Sequence, residues 1–210
     1  MNIPKVHLTS KREITRQQTD TRAFHLSEDD MPKGDGTPDS IHKIIKFLDV
    51  EKSPRYKRTP SSTFCNIYAY DFAYLMGAYL PRVFWTEGAI KMSTFTAVYG
   101  KTVAEMSANA LYDWFGKYGD DFGWREVDKY EAQELANNGK CVIMVAANKS
   151  RSNSGHIVAV VPETTEHKAT SAAGQMQAPV MSQAGGTNKA YFSNRWWATG
   201  HAPVKIYVHE

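Results

Sequence analysis

Cysteine is scarce in this chain: Cys65 and Cys141 are the two it has in 210 residues, too few for a disulfide framework. Their contexts differ, so both are read as free thiols, and one is then available as a nucleophile. Long apolar runs are missing as well. None approaches the roughly 20 residues of a membrane span, so no membrane insertion is expected. The first residues, MNIPKVHLTSKREITRQQ, lack the apolar stretch of a secretory signal. Charge of one sign is also short, with 25 basic against 22 acidic residues. Residues 1–60 hold 12 basic and 9 acidic residues, so the excess sits in the N-terminal part, most densely at Lys52, Arg55, Lys57 and Arg58. A run this small reads as a solvated face, or as a patch that dwells on an anionic polymer, and is too weak to argue for nucleic acid. The seven histidines include no His-x-x-x-His pair and neither cysteine has a neighbour at zinc spacing, so no metal is predicted. No glycine-rich loop precedes a helix to cradle phosphate, so no cofactor is predicted either. There is no internal repeat.

What is present is the profile of a folded globular chain: 42% hydrophobic and 12% aromatic residues, enough for one sizeable core. The organisation expected is an N-terminal extension, 1–50, followed by a single domain, 51–210. Residues 1–37 are polar and end in the breaker cluster Pro32 to Pro38. Asp39 or Ser40 is placed to cap a helix bearing Ile41, Ile44, Ile45 and Leu48 on one face. A second helix runs from the hydroxyls of Ser61, Ser62 and Thr63 through Ile67, Tyr70, Tyr74, Leu75 and Ala78, and Pro81 stops it. A third fits Val103, Met106, Ala110, Leu111, Trp114 and Tyr118. A fourth covers about 129–138 and ends at Asn138-Gly139. Beyond Gly139 the period becomes that of strands, at 141–147, 156–162, 179–185 and 203–209, with a hairpin loop at 168–178. Helices first and antiparallel strands second predict an α+β fold with a helix packed on the sheet.

Two features carry chemistry. Cys65 falls in the first turn of an apolar helix, where the macrodipole and unpaired N–H groups favour thiolate. Ser154-Gly155-His156 leads into the apolar run 157–161, which sets an imidazole on a rigid strand end. A thiol and a base drawn from separate parts of the chain make a nucleophile pair. A third group must orient the imidazole, and PVMSQAGGTN offers Gln183, Asn188 and Ser182, in that order of preference. Asp71, two turns into the Cys65 helix, is read as a structural hydrogen-bonding group or a contact to substrate. Adjacent Trp196 and Trp197 cannot both face one core, so one of them is expected in a substrate groove. Cys141, heading an apolar strand, is read as core.

The run TFCNIYAYDFAYLMGAYLP resembles the T-x-C-N-x-Y/F-x-x-D helix of the CHAP and NlpC/P60-like peptidoglycan amidases and endopeptidases. Thr63, Cys65, Asn66, Tyr68 and Asp71 fall on the matching positions. SGHIVAVVPE is similar to their G-H-V-A-V-V strand, and PVMSQAGGTN to the polar strand that follows. The resemblance covers about 61–81 and 139–188, in the family's order. It implies a papain-like fold, a Cys-bearing helix on an antiparallel sheet of about four to six strands with additional helices. Cys65 would be nucleophile, His156 general base and the Gln183 region the orienting position, with Asn66, Asp71, Ser182, Asn188 and Trp196 supporting the site or the substrate. The family often carries Glu, Asn or a second His at the third position, and here the chain offers Ser-Gln. The implied substrate is a peptidoglycan peptide, reached from the cytoplasm as a phage endolysin through a holin-type pore or as a secretion-system toxin. In the second case an immunity protein is the expected partner. Two other readings stay open at this stage: acyl or glutaminyl transfer between proteins, and an inactive domain that binds wall or protein.

Overall fold

Thr37 caps the first described helix: its hydroxyl accepts from the Ser40 N–H at 3.3 Å, and Pro38 follows at the first helical position, where a missing N–H costs nothing. The cap is therefore Thr37 rather than Asp39 or Ser40, and Asp39 instead places a negative charge in the first turn of α1 (Pro38–Leu48). The computed structural model describes residues 31–94, 96, 98 and 101–210. Of the expected extension 1–50, residues 1–30 lie outside the described residues, whereas Ile41, Ile44, Ile45 and Leu48 of α1 are buried in the main core.

α2 (Cys65–Leu75) buries nine of its eleven residues, so it is a central helix covered on all sides rather than a one-faced surface helix. Its N-cap, Phe64, makes no side-chain capping bond, and Ser61, Ser62 and Thr63, expected as caps, are exposed. Gly77, at φ +75°, turns the chain out before Pro81 is reached. The helix expected across Val103 to Tyr118 is two elements. Val103–Glu105 is a strand, β2, paired antiparallel with β1 (Val83–Trp85), and the five-residue α3 (Glu87–Lys91) lies between them. Ser107 then caps α4 (Ala108–Tyr118), accepting from Ala110 N–H at 3.2 Å. A serine cap competes with helix continuation upstream, which explains the break.

The remaining strands are β3 (Trp124–Val127), β4 (Cys141–Ala146), β5 (His156–Val160), β6 (Thr170–Ala172), β7 (Gln175–Ala178), β8 (Met181–Gln183), β9 (Lys189–Phe192) and β10 (Lys205–His209), with α5 (Lys129–Asn137) between β3 and β4. Six of them form one antiparallel sheet in the order β3-β10-β4-β5-β8-β9, while β6 and β7 make the expected hairpin at 168–178 a separate two-stranded ribbon. The fold is α+β, an antiparallel sheet with helices on both faces. Alternation along β4 and β5 sets the layers. Cys141, Ile143, Val145, Ile157, Ala159 and Val161 pack toward the core that contains α1, α2 and α4, and Val142, Met144, Val158 and Val160 pack toward Ala132 and Ala136 of α5. No described helix is long and apolar enough to cross a membrane.

Candidate active site

β5 opens at His156, opposite Ala146 of β4, and α2 packs against this strand with Cys65 at its N-terminal end. The glycine before the histidine has a steric reason: a Cβ on Gly155 would fall 2.6 Å from the Ala146 carbonyl oxygen and from Asn109 Oδ1. Only glycine lets the chain enter the strand there. Asn109, on α4, holds the approach loop. Its Oδ1 accepts from Asn148 N–H at 2.9 Å and its Nδ2 donates to the Asn153 carbonyl at 2.8 Å.

The Cys65 thiol and the His156 imidazole, 91 residues apart in the chain, lie close enough for each to shift the other's titration. His156 Nε2 lies 2.8 Å from Gln183 Oε1. Gln183 Nε2 in turn donates to the Thr187 carbonyl at 2.9 Å, which fixes the amide with its oxygen toward the imidazole. An oxygen can only accept, so the proton on Nε2 is the one donated to Gln183, and Nδ1 is left for the Cys65 thiol. Gln183 thereby selects the tautomer that can act as a base. Trp196 stands edge-on to the imidazole, with ring centres 4.8 Å apart at 90°, and Gly185 leaves room for it, since a Cβ there would come within 3.1 Å of His156 Cε1.

Burial pushes the Cys65 thiol up, but the hydrogen bond and charge of His156, with the backbone N–H groups of Ile157 and Asn66, outweigh it and hold the thiol below its ordinary range. Burial pushes His156 down, and the bond and charge of Cys65, helped by Gln183, carry it above its ordinary value. The two shifts favour a thiolate–imidazolium pair. Cys141 is the contrast: burial alone acts on its thiol and raises it far above its ordinary range, so it is inert core, as its strand position implied.

A cleft of about 360 Å³ opens on Cys65, lined by Ser62, Thr63, Phe64, Asn66, Glu105 and Ser107, with Ser154 and Gly155 across from them. It meets a second hollow floored by Arg58 to Thr63, so a groove passes the thiol. Uncapped N–H groups at the start of α2 face this region, where a carbonyl attacked by Cys65 would develop negative charge.

Of the other residues singled out from sequence, Asn66 lines the cleft and Asp71, Ser182 and Asn188 lie outside it. Asn66 donates from Nδ2 to the Met106 carbonyl at 3.0 Å, tying the opposite cleft wall to α2. Asp71 is fully buried and not in the cleft. It accepts from Arg55 Nη2 and from the Tyr56 hydroxyl, each at 2.8 Å, with Arg55 Nε also bonded to it. Its role is structural. Ser182 is buried against Tyr68 of α2, 2.5 Å between hydroxyl oxygens, and faces away from His156. Asn188 accepts from Gly185 N–H and donates to the Val50 and Tyr56 carbonyls, fastening the loop behind the imidazole to the α1 side of the molecule. Of the three candidates for the third position, Gln183, the first choice, is the one bonded to His156. Trp197 does not part from Trp196: both pack on the core layer containing Val158 and Val160, edge to face with each other, and Trp196 still reaches His156. The expectation that they cannot share one core, in strand or loop, fails because the turn they lie in sets consecutive side chains on the same layer.

Asn109, Thr187 and Glu105 were not anticipated, and Gly155 was noted only as the residue before His156. A glycine squeezed between polar loop residues and an apolar strand was the available signal for Gly155. The other three act through tertiary contacts with no local signature. Among the described residues no group of three His, Cys, Asp or Glu side chains could hold a metal ion. No protein-family model matches the chain, and no curated protein matches it.

Proposed function

We propose that the protein is a papain-like cysteine hydrolase that cleaves amide bonds in peptidoglycan peptides. The observation that carries the reading is the Cys65 thiol beside the His156 imidazole, each shifting the other, with the imidazole bonded to the Gln183 amide and the thiol lining a cleft. In the mechanism, the Cys65 thiolate attacks the amide carbonyl, imidazolium His156 gives its Nδ1 proton to the leaving amine, and the acyl-enzyme is released by a water that His156 deprotonates. Backbone N–H groups at the start of α2 hold the oxyanion. The papain-like assignment is supported by a Cys-bearing buried helix lying on an antiparallel sheet whose strand end carries the histidine. The wall substrate is supported by the TFCNIYAYD and SGHIVAVV segments and by their resemblance to the CHAP and NlpC/P60 enzymes. In that setting the protein acts as an endolysin or a delivered toxin, the latter with an immunity protein as partner.

Digestion of purified peptidoglycan, with fragments identified by mass, tests the reading. Wild type is expected to release peptide fragments and Cys65→Ala none. Equal release by both would remove the nucleophile assignment, and no release by wild type would remove the wall substrate.

A further inference from the structure

Cys65 aside, Glu105 is the ionisable side chain in the cleft lining, and its neighbours fix it firmly. Arg82, 3% exposed, donates to Glu105 Oε1 from Nε at 3.1 Å and from Nη2 at 2.8 Å. Both bonds go to the same oxygen. The backbone is held on either side as well: Glu105 faces Val83 in the β1–β2 ribbon, Met106 N–H donates to the Arg82 carbonyl at 2.8 Å, and the Met106 carbonyl receives Asn66 from α2. Asn66 follows Cys65 in the chain, so the carboxylate is tied to the nucleophile's own helix.

Charge in this corner is layered. Arg55 and Arg82 are buried, and Asp71, between them, accepts from Arg55 and lies 4.0 Å from Arg82 Nη1. Two cations and two anions cancel in sum, but the buried members are the two arginines and Asp71, and the one that reaches the cleft is Glu105, its side chain 16% exposed. The Cys65 cleft therefore meets the negative end of the cluster, with the cation Arg58 in the adjoining hollow. A carboxylate partly withdrawn from solvent in a confined cleft acts on a ligand charge more strongly than an exposed one.

We infer that Glu105 is a specificity-determining residue that receives, through Oε2, a primary ammonium group next to the scissile bond: a free α-amine or the side-chain amine of a diamino acid. This rests on the hydrolase reading above and adds the chemistry of the preferred substrate. Glu105 does not touch the proton transfers, which belong to Cys65 and His156.

The test uses the full-length protein and one set of muropeptides prepared in three forms, with amines free, acetylated or succinylated. For wild type, kcat/KM is expected to fall about 10-fold or more from free amine to acetyl, and further for the succinyl form, whose carboxylate meets Glu105. Glu105→Gln keeps an acceptor for Arg82 and is expected to cleave the three forms alike, with iodoacetamide labelling of Cys65 unchanged. Wild type that cleaves all three forms equally, or a ranking that survives in Glu105→Gln, would overturn the subsite while leaving the hydrolase intact. If wild type cleaves none of the forms, the hydrolase reading fails and the subsite with it. The wild-type ranking decides the matter even where the variant folds poorly.

Discussion

A glutamine amide can serve either end of a hydrogen bond, and at position 183 the Thr187 carbonyl decides which end faces the histidine. That small choice sets where the imidazole proton sits, and through it whether Cys65 has a base. Gln183→Ala is expected to lower kcat for peptide hydrolysis by about 10- to 100-fold with little change in KM, because the ring loses its orientation and not its chemistry. The matching check is the Cys65 alkylation profile, which should move to higher pH since Gln183 also raises His156. An unchanged profile with lowered kcat would make Gln183 a substrate contact instead. Cys65 and His156 were legible in sequence because helix start and strand start are local properties. Gln183 was preferred but not separated from Ser182 and Asn188. Period-two alternation separates the first two: Ser182 lies opposite Ala159, turned toward α2, so its neighbour must turn the other way. Asn188 sits in a loop, where no period applies.

At the scale of elements, α2 is held by a buried ion cluster as well as by its apolar surface. Asp71 joins it to the Pro54–Tyr56 turn through Arg55 and Tyr56 and approaches Arg82 before β1. Asp71→Ala would leave two buried guanidinium groups without their shared anion, and a loss of about 3–5 kcal/mol is expected in urea unfolding. A loss under about 1 kcal/mol would mean that the cluster is hydrated and contributes little. The elements themselves were legible in part. The long apolar strands β4 and β5 and the helices α1, α2 and α5 follow their patterns. β2 was hidden because Val103 and Met106 happen to continue the helical spacing of Ala110, Leu111 and Trp114, and pairing with β1 is a tertiary fact. β3 and β9, four residues each, are the two edges of the sheet, where partial burial weakens alternation.

Across the whole molecule the sheet brings together parts far apart in the chain. β5 carries the base, β8 the orienting amide and α2 the nucleophile, while the turn that follows β9 supplies Trp196. Gln133 of α5 braces this arrangement from the other face, accepting from Val180 N–H at 2.6 Å and donating to the Val161 carbonyl at 3.1 Å. It thus holds β5 and β8 in register at the end of the pair away from His156. The pH dependence belongs to the assembled site. Cys65 is held below and His156 above its ordinary value, so the thiolate forms as pH rises through the lowered thiol value, and the imidazolium is lost only as pH rises through the raised histidine value. The reactive pair fills as the thiol deprotonates and empties as the imidazolium does, so hydrolysis should follow a bell.

The most direct measurement is the rate of iodoacetamide labelling of Cys65 against pH, followed by mass, with Cys141 as the internal control. The thiolate–imidazolium pair predicts that Cys65 reacts at mildly acidic and neutral pH, far ahead of Cys141, and that His156→Ala moves this reactivity up into or beyond the ordinary thiol range near 8.5. Labelling of Cys65 that begins only in that ordinary range in the wild type, or that is indifferent to His156→Ala, would contradict the pair.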